Sequence, residues 1–222
     1  DDNSGVLRHV KILSSAIAAG GLDKETNGLS MVGVGNGTVV EDITVANSND
    51  DGVEIWGGTV NLKNVTISTC TDDHLDVDSG YTGTIENLDI NATEGFAGIE
   101  MSGVGTHMTL DGFTITMDGY FDADGEGGIY FKQDGVGGHF KNGTIIYDPA
   151  LDIAGAIWSR GTNDLNEISF ENVGIYAADG YKFVNRTDSA TDSADEIKAI
   201  FDNGTGNSDA CVIPAGTDLS GA

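Results

Sequence analysis

Carboxylates are the residues of this chain best placed to do chemistry. Two Asp pairs, Asp50-Asp51 and Asp72-Asp73, recur 22 residues apart. Three residues after each pair comes another acid, Glu54 in one case and Asp76 in the other. Glu100 holds the matching place one unit later, and Asp78 follows Asp76 by two. Such a set offers hard oxygen ligands, and calcium takes 6–8 oxygens from carboxylates and turn carbonyls. The candidate metal ligands are therefore Asp50, Asp51, Glu54, Asp72, Asp73, Asp76, Asp78 and Glu100. Carboxylates also serve as general acids and bases. Asp73 and Asp76 are the acidic candidates for catalysis, with Lys132 and Arg160 as basic ones. A salt-screened acidic face without a ligand is the third reading.

The elements that would position these groups are short strands in register. Apolar-x-apolar triplets occur at Leu29-Ser30-Met31, Val53-Glu54-Ile55, Leu75-Asp76-Val77, Ile99-Glu100-Met101 and Ile129-Tyr130-Phe131, and Ile157-Trp158-Ser159 continues the series. Their starts lie 24, 22, 24, 30 and 28 residues apart. Alternation marks each as a strand with one buried face. A second strand pattern lies between them. Val40-Glu41-Asp42-Ile43-Thr44-Val45 matches Leu62-Lys63-Asn64-Val65-Thr66-Ile67, and copies return near Ile85, Leu110, Phe140 and Phe170, with Leu7 opening a plausible first one. A bend residue, Asn in four copies, separates the halves, and stacked Asn side chains can satisfy neighbouring backbone groups.

Units of this length cannot bury an apolar face alone and must stack. The pattern predicts an all-β fold, a right-handed parallel β-helix of about seven coils. Segment 191–222 reads differently. Ser193-Ala194-Asp195-Glu196 is a capping box ahead of Ile197, Ile200 and Phe201, so a short helix is expected to cap the β-helix of residues 1–190. The first coil has no comparable cap, which leaves self-stacking through the N-terminal coil open. Gly20–Gly28 and Met117–Gly128 read as turn insertions, the latter adding Asp122, Asp124 and Glu126.

In register, Ser30, Glu54, Asp76, Glu100, Tyr130 and Trp158 form one outward column, with rungs ~4.8 Å apart. Each adjacent carboxylate pair costs roughly 0.9 kcal/mol in bulk water and several-fold more in a partly shielded site. That load asks for a counter-charge. Tyr130, Trp158 and Trp56 are expected to project from the same sheet as platforms for a sugar ring.

The chain has 222 residues, a net charge of −26, 33 Gly and 2 Pro. A protein so acidic repels nucleic acid and anionic lipid. It suits a salt-adapted or marine secreted protein, or a calcium protein. No apolar run is long enough for a membrane span, and nothing at Asp1 has the form of a signal peptide. Cys70 and Cys211 would close a long loop if bridged, worth roughly 4–5 kcal/mol in the loop-entropy model. Two unrelated thiols are the alternative. His74 follows the second Asp pair and could ligate a metal, but the four His show no ligand spacing.

Two resemblances add to this. Ser4-Gly5-Val6-Leu7-Arg8-His9-Val10, Gly33-Val34-Gly35-Asn36-Gly37-Thr38 and the run Asp50-Asp51-Gly52-Val53-Glu54-Ile55-Trp56-Gly57-Gly58-Thr59-Val60-Asn61 resemble bacterial secreted and surface proteins and lipoproteins with parallel β-helix repeats. That resemblance covers about the first 90 residues and implies export and the fold, with no defined activity. A looser likeness is to pectate lyases, alginate lyases and polygalacturonases, which act on acidic polysaccharides. The Asp pairs are similar to the paired catalytic aspartates of polygalacturonases, but the His-Gly and Arg-x-Lys motifs are missing. The expectation is an extracellular or cell-surface protein, calcium-stabilised, that binds a glycan or a neighbouring surface protein. A lyase or hydrolase of acidic polysaccharide, and a purely structural module, are the alternatives.

Overall fold

The computed structural model describes residues 2–15, 26–118, 127–133, 135–147, 155–160, 167–177, 183–186 and 194–209. Two parallel sheets organise them. The first runs β1 (Val6–Ile12), β3 (Val39–Ser48), β5 (Asn61–Cys70), β7 (Thr84–Ala92), β9 (His107–Met117), β11 (Gly137–Tyr147) and β13 (Ile168–Ala177). The second runs β2 (Leu29–Val32), β4 (Val53–Trp56), β6 (Leu75–Asp78), β8 (Ala97–Met101), β10 (Gly127–Phe131), β12 (Ile157–Arg160) and β14 (Phe183–Arg186). Odd strands pair only with odd and even only with even, so each coil adds one rung to each sheet. This is a parallel β-helix of seven rungs among the described residues.

The register is the one the sequence periods predict. Val40 pairs with Leu62, Leu62 with Ile85, Ile85 with Leu110, Leu110 with Phe140 and Phe140 with Phe170. Leu7 pairs with Val40, which makes β1 the first copy. Burial follows Val40, Ile43, Val45 and Leu62, Val65, Ile67, an alternation that skips a beat in the middle of the strand. The skipped residue bends the strand. His9, Asp42, Asn64, Asn87, Asn142 and Asn172 all have φ between 52° and 59°, and Gly112 in the same column has 77°. Asn, Asp and Gly tolerate that left-handed conformation best.

The Asn side chains bond one another rather than backbone. Asn64 Nδ2 donates to Asp42 Oδ1 at 2.8 Å, and Asn87 Nδ2 to Asn64 Oδ1 at 3.0 Å. Gly112 interrupts the ladder, and Asn142 turns to Asp111 Oδ1 at 2.7 Å before Asn172 resumes it.

The core is one continuous cluster of aliphatic residues, ending in the aromatic stack Phe140, Phe170 and Phe201. Phe201 comes from α1 (Ala194–Asn203), whose Ile197 and Phe201 are buried and which packs on the last rungs. Beyond it the chain imitates a further rung. Asn172 N–H donates to Thr205 O at 2.8 Å, and Ile175 N–H to Ser208 O at 2.7 Å. The edge of β13 is thereby satisfied, as an exposed strand edge requires. At the other end β1 and β2 are edge strands, with Val6 and Val32 exposed. The insertion acids Asp122, Asp124 and Glu126 lie outside the described residues, as does Ser193 of the capping box.

Candidate functional site

The second sheet aligns Glu54 with Asp76 and Asp76 with Glu100 on successive rungs. The turn before each rung supplies a second column, in which Asp51 and Asp73 sit two residues ahead of the paired Val53 and Leu75. Both have a local structural reason to be aspartate. Asp51 Oδ1 accepts from Asp73 N–H at 3.0 Å, and Asp73 Oδ1 accepts from Ala97 N–H at 2.8 Å. Each side chain thus satisfies the turn of the next coil.

These groups face away from the core, yet they are not solvated. Asp51, Glu54, Asp73 and Glu100 are only 6%, 9%, 4% and 4% exposed. One carboxylate oxygen each from Asp51, Glu54 and Asp76 lie within 4.8 Å of one another, and so do oxygens of Asp50, Asp51 and Asp72. The column is compensated at its ends. The Asn27 amide donates to Glu54, and Lys132 Nζ lies 2.8 Å from Glu100 Oε1. Between them, Asp76 Oδ1 is buried with no hydrogen-bond partner.

Burial is the main electrostatic fact. It pushes Asp51 up to about 9, helped by repulsion from Asp76, Asp72 and Glu54, with the Asp73 N–H pulling the other way. Burial likewise raises Asp76 to about 8, with Glu100, Glu54 and Asp78 adding repulsion and Lys132 opposing. Glu54 is raised to about 7, again by burial first, against the Asn27 hydrogen bond. Asp73 lies well above the usual carboxylate range from burial and then its acidic neighbours. Such a cluster either holds protons or holds a cation. The donors are all hard oxygens on adjacent rungs, which fits calcium and not a soft or imidazole-preferring metal.

Asp78 is a weaker member, since its Oδ1 accepts from Ser79 N–H. Its rung partner Trp56 is half-buried and is the member of the expected sugar platform that reaches solvent among the described residues. Tyr130 and Trp158 correct that expectation. They continue the acidic column as expected, but are 1% and 3% exposed and pack on each other at 4.6 Å with Ala97 beside them. Alternation distinguishes inside from outside of the coil, and outside is not the same as solvent-exposed.

His74 is also a correction. It sits in register with Gly52 and Gly98, where an added Cβ would strike Ile67 and Ile115, so this corner position faces the core. Its ring is fully buried, Nδ1 lies 3.2 Å from Ala97 O, and burial lowers it to about 4. It is a neutral core histidine, not a ligand of the acidic face. The expected Cys70–Cys211 bridge falls partly outside the described residues. Cys70 is a free thiol buried at the inward end of β5, pushed up to about 12 by burial, and Cys211 lies outside the described residues. Of the basic catalytic candidates, Lys132 is engaged by Glu100, and the Arg160 side chain lies outside the described part.

The sequence did not reveal that Asn27 and Lys132 bracket the column. Asn27 precedes the strand of the preceding rung, and no motif marks it. Lys132 shares a column with Asp78 but crosses to Glu100, a choice made by side-chain reach.

Rungs, register and a carboxylate-lined outer face define the class, a parallel β-helix repeat module. More particularly, the pectate-lyase-like β-helix domain model matches residues 1–214, and the chain belongs to that family. No curated protein and no solved structure matches the chain. No helix among the described residues is long and apolar enough to cross a membrane.

Proposed function

We propose that this chain is a binding module of the cell exterior whose acidic column is completed by calcium. The observation that carries the reading is the convergence of Asp51, Glu54 and Asp76 within 4.8 Å in a shielded setting. Coulomb repulsion among three such charges is several kcal/mol at an intermediate effective dielectric, roughly 3–4 kcal/mol per close pair. Asn27 relieves one end, and Lys132 at the other only partly offsets the repulsion at Asp76. A divalent ion supplies the missing charge in the middle, and the oxygens are of the type it selects. The net charge of −26 suits a protein working in a calcium-rich, salty exterior. Half-buried Trp56 stands one rung from Asp78, where the column meets solvent. A polyhydroxylated or acidic glycan, or a carboxylate-bearing surface protein, matches that chemistry.

The test is calcium calorimetry on the full chain and on Asp76→Asn. One or two ions should bind the native chain, with at least a tenfold weaker affinity in the variant. No heat of binding at millimolar calcium would end it.

A second reading, a lyase or hydrolase of acidic polysaccharide, is favoured by membership of the family. Asp76, with its carboxyl raised to about 8, is the group that would take or give a proton near neutrality. Incubation with pectate and alginate, followed by unsaturated products and reducing ends, decides it. Absence of both would leave the binding module standing.

A further inference from the structure

Away from the acidic column, on the outer face of the first sheet, the fold brings together two histidines and a glutamate. His107 opens β9, and His139 follows on β11 one rung later. Glu167 stands just ahead of β13. The positions are 32 and 28 residues apart in sequence, and no motif announces them. His107 pairs with Gly137, and the register places Glu167 on the far side of the same glycine. A Cβ at Gly137 would meet Glu167 Cβ at 2.6 Å and His107 Cδ2 at 2.8 Å. The missing side chain is what lets His107 and Glu167 reach across a rung. His107 Nε2 and Glu167 Oε2 lie 3.4 Å apart, and the His139 ring stands edge-on to His107 with centroids 4.8 Å apart.

We infer that His107, His139 and Glu167 form a second metal site, one that takes a borderline divalent ion such as zinc. Imidazole with carboxylate is a zinc, copper or nickel donor set, unlike the all-oxygen column. Two separations are already near those such an ion imposes. Zinc bonds of 2.0–2.1 Å at tetrahedral angles put two donor atoms about 3.4 Å apart and two imidazole centroids roughly 5 Å apart. His139 has the supporting contact that metal-bound histidines use. Its Nδ1 is 2.6 Å from Ser169 Oγ, so an Nδ1–H bond to the hydroxyl leaves the Nε2 lone pair for the ion. The three donors do not converge as tightly as the carboxylates of the acidic column. Closure takes a side-chain rotation of His139 and Glu167, both exposed. Lys141 acts on His139 and opposes the ion, which limits affinity. Water completes the shell.

The experiment is zinc titration of the full chain with calcium in excess, so that the acidic column is already supplied. Cobalt in place of zinc reports geometry through its visible spectrum. The expected result is one zinc per chain and a tetrahedral cobalt spectrum. His139→Gln and His107→Gln should each weaken zinc at least tenfold, while His9→Gln and Asp76→Asn should leave it unchanged. Zinc uptake that is absent, or that is unchanged in both His139→Gln and His107→Gln, would overturn the site. Because Asp76→Asn touches only the calcium column, failure of either site is read independently of the other.

Discussion

Asp76 carries the conflict that defines the molecule. It lies between Glu54 and Glu100, and one of its oxygens is buried without a partner. Replacing it by Asn removes a charge that repels both neighbours. Without calcium at pH 8, Asp76→Asn should therefore raise stability by roughly 1–2 kcal/mol, or about 2–8 °C in melting temperature for a chain of this size. Thermal unfolding in chelator checks it, and a lower melting temperature would contradict the repulsion. His74 acts with the opposite sign on acidification. Its folded pKa of about 4 lies below the unfolded value of 6.5. The unfolded chain therefore binds the proton more readily, and stability from this residue is lost as pH falls from 6.5 toward 4. His74→Asn keeps a donor for Ala97 O and does not titrate. The stability of this variant relative to the native chain should rise as pH falls through that window. A pH-independent difference would show that His74 is not buried as a neutral ring.

At the scale of the element, the bent strand is the repeating device. A left-handed residue at the same corner of each copy turns the sheet, and the Asn amides at that corner bond along the stack. Asn64→Ala loses two ladder contacts and places a Cβ-bearing residue with no local hydrogen bond at φ 55°. Roughly 1–2 kcal/mol should be lost. Asn64→Gly should cost less than Asn64→Ala, because Gly112 already fills the equivalent corner. Urea unfolding of both variants checks the order. These elements were legible in the sequence because each triplet and each bent strand repeats its apolar positions, and register follows from period. The short helix was legible from Ile197, Ile200 and Phe201. What was not legible is where the solvent begins. Tyr130 and Trp158 share the outward column with Glu100 but are covered, and His74 falls on a corner that faces inward. His107 and His139 show no ligand spacing in sequence, yet a parallel stack makes neighbours of residues one coil apart, whatever their separation in sequence.

For the whole molecule, a net charge of −26 is not only a solvated surface. Part of it is folded into a shielded carboxylate column, the charge that the proposed calcium would answer. The pH dependence follows from the signs. Asp51, Asp76 and Glu54 have folded values of about 9, 8 and 7, all above their ordinary values. Without a cation their contribution to stability is complete below about pH 4 and is lost as pH rises through 7 to 9. Calcium binding only the folded, ionised column should reverse that loss. The most direct measurement is the melting temperature of the full chain from pH 5 to pH 9 at physiological salt, in chelator and in millimolar calcium. The melting temperature should fall with rising pH in chelator, and calcium should restore at least several degrees at pH 8 while doing little at pH 5. Melting curves that are flat with pH in chelator and unmoved by calcium at pH 8 would contradict it.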